Sequence, residues 1–230
     1  EVPDLLGIAG LAGDAGLVAM IDNTFASPVN FRPLEHGFDV ELHSATKYLN
    51  GHSDIVAGAI LGSASFVREA AVKLAHFGAS LDPHACFLLE RGLKTLPLRV
   101  RQQNANALAL ARALDSHERV KRVHYPGLEL HPDHIRATTL FAGCGGVLSV
   151  ELHGDAQDAD RFMRRLKLAA IAPSLGGVET LVTRPATTSH AGMTAEARAA
   201  AGIPEALVRV AVGIEATADL VHDFTRALAE

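Results

Sequence analysis

The chain has 230 residues, 48% apolar and 20% charged, with a net charge of −5, enough apolar material for a sizeable core in one or two domains. Its 21 basic residues are scattered, and the strongest clusters, Arg119–Arg122 and Arg161–Lys167, read as solvated helix faces interleaved with apolar positions, which speaks against the basic stripe of a nucleic-acid binder. No apolar run reaches the roughly 18 residues of a membrane span, the acidic start lacks the n-region of a signal peptide, and Cys86 and Cys144 are too few for a disulfide framework. Neither nucleic acid nor membrane is expected as a partner, and the cytoplasm is the default compartment.

In chain order, VPDLLGIAGLAGDAG reads as an amphipathic helix with Pro3 in its first turn, and Leu17–Ile21 as a short buried strand. Val40–His43 reads as a second strand and Ile55–Leu61 as a third, apolar on both faces as in a covered sheet. Ala64–Ala79 reads as a helix broken at Gly78. Pro83 opens another, whose positions Phe87, Leu88, Glu90, Arg91 and Lys94 alternate core and surface and which ends at Thr95–Pro97. The alanine-rich stretch Leu98–Arg122 reads as the longest helix, bridging a first domain (1–98) and a second (99–230). After a loop at Pro126–Pro132, Cys144–Leu152 and Leu207–Ile214 are the clearest strands. Helices over Asp158–Leu168 and Thr217–Ala229 pack on this small sheet. The fold class is α/β.

The chemistry gathers around HSATKYLNGHSD, residues 43–54. Lys47 has no carboxylate within four residues on either side, so nothing local pins it as a charged partner, and Ser44 and Thr46 beside it are anion-binding types. A lysine that attacks a carbonyl must be partly desolvated, because an exposed amine with a pKa of about 10.4 is almost wholly protonated. Asp22 closes the preceding apolar run, where open α/β sheets place their ligands. An acid, an amine and hydroxyls for a phosphate are together the parts of a pyridoxal-phosphate site. Two arginines, Arg184 and Arg209, could fork onto a carboxylate, and Arg209 lies alone in an apolar strand, where an unpaired charge is costly. His131 and His134 are three apart, and His43 and His52 bracket the lysine, but no third ligand stands at zinc spacing. His43 and His52 read as packing or supporting residues.

The phrases IDNTFASP, HSATKYLNGHSDIVAGAILG, RGLKTLPLR, SLGGVETLVTRPATTSH and LVRVAVGIE, in this order, resemble the Cys/Met-metabolism family of pyridoxal-phosphate enzymes over nearly the whole chain. The resemblance implies the C-terminal half of the large domain plus the small domain of an aspartate-aminotransferase-like (fold type I) enzyme. It implies pyridoxal 5'-phosphate as cofactor, with Lys47 holding it and moving protons along the substrate. Asp22 would face the ring nitrogen, Thr24 the ring, and Ser44 and Thr46 the phosphate, from alternate positions that leave the lysine projecting the other way. Ser174 and Arg209 would take the substrate carboxylate, and Arg184 is left unassigned. A small-molecule amino-acid substrate and a homodimer or homotetramer are implied as partners. The family's glycine-rich phosphate loop, ring-stacking tyrosine and its asparagine are not in this sequence, so the chain is expected to be the C-terminal part of a longer enzyme.

Within the family, the residue before SLGG is often a glutamate meeting the substrate's distal amine; here it is Pro173. Leu175 and the lack of tryptophan speak against enterobacterial-type β-lyases. The implied activity is transsulfuration at the γ carbon of a homoserine-derived amino acid, as a cystathionine γ-synthase or γ-lyase. O-acylhomoserine sulfhydrylase or methionine γ-lyase comes next. A reading of another class is an inactive fragment or interface remnant.

Overall fold

A computed structural model describes residues 1–229. Helix α1 (Leu5–Asp14) starts at Asp4, whose carboxylate accepts from the Gly7 amide, as an N-cap should. Pro3 therefore precedes the cap instead of sitting in the first turn. Strand β1 (Met20–Asp22), the short helix α2 (Ser27–Asn30) and a 3-10 turn (Pro33–His36) lead to β2 (Val40–Ser44) and β3 (Gly58–Gly62). The three strands form a sheet in the order β1-β2-β3, parallel then antiparallel.

Two expectations about this sheet need correcting. The stretch before β1 is not buried throughout: Ala19 is, but Leu17 and Val18 are exposed, with β1 at the edge of the sheet. The third strand begins only at Gly58, and Val56, Ile60 and Leu61 are also exposed, so its apolar residues do not mark a covered strand.

Helices α3 (Ala64–Phe77), capped by Ser63, and α4 (Pro83–Leu93), capped by Asp82, follow. Phe87 in α4 is exposed, against the register expected for it. Helix α5 (Leu96–Asp115) begins earlier than expected, because Pro97 lies in its first turn, where a missing N–H is harmless. It also ends earlier: Val120–His124 is a strand, β4, and not the helix's last turns. There Val120 and Val123 are buried while Lys121 and Arg122 face out, a pattern that suits β-branched residues in a strand.

The second sheet is built from β4, β5 (Val147–Leu152), β6 (Ala170–Ile171), β7 (Leu181–Thr183) and β8 (Leu207–Ala211), in the order β4-β5-β8-β7-β6. Helices α6 (His134–Leu140), α7 (Ala156–Arg165), α8 (Ala195–Ala200) and α9 (Thr217–Ala229) complete it, with a 3-10 turn at Pro185–Thr187. Leu110 and Leu114 of α5 pack with Val150, Val208 and Val210, and Phe162 meets Phe224 edge to face. Each such side chain contributes about 1.5–3 kcal/mol by leaving water.

Helix α5 also carries polar residues inward. Arg99, Gln103 and Asn106 are all buried and spaced to share one helical face. Gln103 donates to the Gly177 carbonyl, and Asn106 to those of Gly213 and Glu215. Asn104 donates to Asn30 and accepts from the Gly145 amide. The helix thus holds both sheets at once. Among the described residues no helix is long and apolar enough to cross a membrane.

Candidate active site

Beyond Ser44 the chain leaves β2 and turns tightly. The Lys47 amide donates to the Ser44 carbonyl (3.0 Å), the Asn50 amide to Ala45 (3.0 Å) and the Gly51 amide to Lys47 (2.7 Å). Ser44, Thr46 and Lys47 are therefore not displayed by strand alternation, as the spacing had suggested. The Thr46 hydroxyl accepts from the Ala57 amide (3.0 Å) and reaches the Ala57 carbonyl (3.3 Å), tying the turn to the approach to β3.

The amine of Lys47 points to the other sheet and donates to Ser174 Oγ at 2.8 Å. Arg209, on β8 between Ser149 and Thr183, donates to the Ser174 carbonyl, also at 2.8 Å. Ser174 holds φ +100°, a conformation costing about 1–3 kcal/mol that persists where the surroundings enforce it. Here it lets one residue meet two cations. Gly176 is equally constrained: at φ +77°, a Cβ would lie 2.7 Å from the Tyr48 amide nitrogen and 2.9 Å from its ring. The Val178 amide closes the pair of loops on the Gly51 carbonyl (3.0 Å).

Burial, and secondarily the charge of Arg209, hold the Lys47 amine below its ordinary value of 10.5. The folded state then binds this proton less tightly than the unfolded chain does. The resulting loss of stability is complete below the lowered folded value and is relieved as pH rises from that value to 10.5. The melting temperature of the wild type is expected to gain on that of Lys47→Met over this range. A constant difference between pH 7 and 10.5 would contradict it.

Asp22 stands exposed at the C-terminal end of β1, its carboxylate accepting from the Thr24 amide (2.9 Å). Buried Thr24 accepts through Oγ1 from the Ser44 amide (2.7 Å), joining the ends of β1 and β2. Asp22 lines a groove of about 530 Å³ with Cys144 and Ser149, while Thr46 and Ser174 line a separate cavity of about 480 Å³ with Asp54 and Glu179. The expected residues thus fall into two linked groups, Asp22–Thr24–Ser44 and Lys47–Ser174–Arg209, with Thr46 on the flank of the second.

Of the two arginines, Arg184 is occupied, donating to Asp160 (2.8 Å) and to the Glu205 carbonyl (3.0 Å). Arg209 keeps a buried Nε with no hydrogen-bond partner, an orphan suited to an arriving carboxylate. An amine with a neutral partner, a strand-end acid and this unfilled guanidinium fit pyridoxal phosphate and an amino acid.

Sequence reasoning left three features unassigned. Buried Glu41 accepts from Asn23 Nδ2 (2.7 Å) and pairs with His43 Nε2 (2.6 Å), behind the strand ends that carry Asp22 and Ser44. The Tyr48 hydroxyl is buried against the Gly146 amide, and burial pushes it up to about 12. Arg99 clasps the lysine turn from α5. The signal was polarity at core spacing in α5 and at alternating positions in β2 (Glu41, His43). His52 Nδ1 donates to the Asn50 carbonyl (2.7 Å). Among the described residues no group of three or more His, Cys, Asp or Glu is placed to hold a metal ion.

Residues 1–229 match the family model described as Cys/Met metabolism PLP-dependent enzyme. The chain is 44% identical over 230 residues to a cystathionine β-lyase of Coxiella burnetii, covering 99% of this chain and 59% of that protein. It is 44% identical to a cystathionine γ-synthase of Escherichia coli, covering 97% and 58%. The crystal structure of a cystathionine γ-lyase from Micromonospora echinospora superposes with a TM-score of 0.95 at 40% identity, over all of this chain and 60% of that one. The chain therefore spans about three-fifths of the length of these relatives. The chain belongs to the Cys/Met-metabolism family of pyridoxal-phosphate-dependent enzymes, with their fold type I architecture.

Proposed function

We propose that this chain carries the cofactor lysine and the carboxylate-binding arginine of a transsulfuration enzyme acting at the γ carbon of homoserine-derived amino acids, a cystathionine γ-synthase or γ-lyase. The observation that carries the reading is the chain Lys47–Ser174–Arg209, which sets an amine and an unfilled guanidinium on one strained serine. When bound, pyridoxal phosphate supplies an electron sink for bonds broken at the substrate's Cα. Asp22 would keep a proton on the ring nitrogen. Lys47, its amine held below its ordinary value by burial and by Arg209, would take the Cα proton and carry it along the substrate. Arg209 would fork onto the carboxylate, with Ser174 fixing both cations. Ser44 and Thr46 would face the phosphate with Thr24 at the ring, Thr46 giving up its long contact to the Ala57 carbonyl.

Overall likeness does not separate bond choice, since a β-lyase and a γ-synthase stand at the same identity; Leu175 and the lack of tryptophan speak against the enterobacterial-type β-lyases, while Pro173, where a glutamate is often found, weakens a simple γ-lyase assignment. O-acylhomoserine sulfhydrylase or methionine γ-lyase is the second reading of the same machinery. The domain division near residue 98, a cytoplasmic setting and a homodimer or homotetramer belong to the same proposal. Exposed Val56, Phe77 and Leu130 offer apolar surface for such assembly.

The test is visible absorbance of the chain with pyridoxal phosphate, then borohydride reduction and peptide mapping, beside Lys47→Ala. A band fixed on Lys47 and absent from the variant is expected. Cystathionine should then yield 2-oxobutanoate; pyruvate would move the assignment to the β bond. No band in either chain would favour the inactive-fragment reading for this length.

A further inference from the structure

The segment RGLKTLPLR has no role in the function proposed above, yet its last residue is the most enclosed cation near the lysine. Arg99 is 4% exposed. Its NH1 donates to the Tyr48 carbonyl (2.9 Å), its NH2 to those of Leu49 (3.3 Å) and Gly92 (2.8 Å), and its Nε to Thr95 Oγ1 (3.0 Å). Every one of these acceptors is neutral. Burying a guanidinium on carbonyls alone is an expensive way to stabilise a fold. It is an effective way to hold three backbone oxygens in one plane, because the fork is rigid and its donors are fixed in direction. Two of those oxygens belong to the residues directly after Lys47. The neighbouring glycines are shaped to the clamp: a Cβ on Gly51 would fall 1.9 Å from Arg99 NH1, and one on Gly92 would fall 2.4 Å from the Asn50 carbonyl.

We propose that Arg99 is a positioning residue for Lys47: it locks the turn that follows the lysine onto α5, so that the amine is delivered to Ser174 and Arg209 in the other sheet. The inference rests on the reading of Lys47 as the reactive amine. The charged groups around the turn are Arg99 on α5, Arg209 on β8, Asp54 bonded to Asn50, and Glu179 bonded to Ser53. If the clamp slackens, the amine leaves Arg209 and gains water, and both changes return it toward 10.5.

The test is the pH dependence of Lys47 labelling by trinitrobenzenesulfonate, read by peptide mass, on the full chain without cofactor. Arg99→Lys keeps the charge but offers a point donor in place of a fork. Its labelling midpoint is expected to move up toward that of an ordinary lysine, slowing labelling at pH 8 by about tenfold for every tenfold fall in proton concentration at the midpoint. Arg184→Lys, at a buried arginine bonded to Asp160 on α7 and to Glu205, serves as the control for general loosening and is expected to leave the Lys47 midpoint in place. If Arg99→Lys keeps the wild-type midpoint, or if Arg184→Lys shifts it equally, Arg99 is structural only and the proposal is overturned. Should Arg99→Lys fail to fold, Thr95→Val decides, since it removes the Nε acceptor, with that hydroxyl's own bond to the Gly92 carbonyl, and leaves the guanidinium in place: a raised midpoint supports the clamp and an unchanged one overturns it. Because no cofactor takes part, failure here is distinct from failure to bind pyridoxal phosphate.

Discussion

Arg209→Lys is expected to weaken capture of an amino-acid substrate by about 100-fold. A guanidinium places two parallel N–H bonds on a carboxylate, while an ammonium offers a point charge, and charge-assisted bonds are worth about 1.5–3 kcal/mol each. The strand fixes where Arg209 sits, with Ser149 and Thr183 paired on either side. Its buried Nε has no protein partner to lose; the one protein bond at stake is that of its NH2 to the Ser174 carbonyl. The measurement is a spectral titration of the cofactor-loaded chain with an amino acid, wild type against variant. Dissociation constants within threefold of one another would assign the carboxylate to another group. Arg209→Met separates the two duties of the residue: it removes the fork, and it also removes a charge that holds the Lys47 amine down, so the Lys47 labelling midpoint should rise.

Gly92→Ala is expected to destabilise the chain by about 3 kcal/mol or more, at the upper end of overpacking. In a helix interior alanine normally gains about 1 kcal/mol over glycine. Here the added Cβ would stand 2.4 Å from the Asn50 carbonyl oxygen and 3.0 Å from two further backbone atoms of Asn50. Backbone cannot swing aside as a side-chain tip can, and this backbone belongs to the lysine turn. Steric cost therefore outweighs propensity, and relief comes only by pushing Asn50 and Lys47 away from α4. Gly10→Ala in α1, with nothing within 4 Å of its Cβ, is the matched control and should be neutral or stabilising. Melting temperatures should differ by several degrees or more, at about 2–4 °C per kcal/mol for a chain of this size. Equal melting points would show that the helix end and the turn separate freely.

How much of this was legible in the sequence depended on the range of the interactions. Helices α3 and α9 were readable because their stop and start signals are local: Gly78 ends one, and Thr217 opens the other soon after a strand. Strand β4 was missed because the alanine-rich pattern before it runs on to Arg122 unless Ser116 is seen to stop it. The exposed faces of β1 and β3 were misread because apolar content reports a tendency to be covered, not the presence of a cover. Lys47 and Arg209 stood out by residue type and surroundings and Ser174 through the resemblance; no local rule brings the turn after the first sheet to the second. Arg99 escaped because an arginine on a helix is ordinarily a surface residue, and only the carbonyls of Tyr48 and Leu49 reveal its purpose.

Lys47 and Ser174 lie 127 positions apart, yet their bond defines the site. Closing so long a segment carries an entropic cost that local turns do not bear, and contacts of this range are the slow ones in folding. Sheet β1-β2-β3 can form from residues all within the first 62, whereas the amine gains its partners only after β8 is threaded beside β5. In a chain made from its N-terminal side onward, Lys47 therefore lacks both Ser174 and Arg209 until those residues have been made. The surroundings that hold its amine down arrive late, with nearly the whole described chain already made.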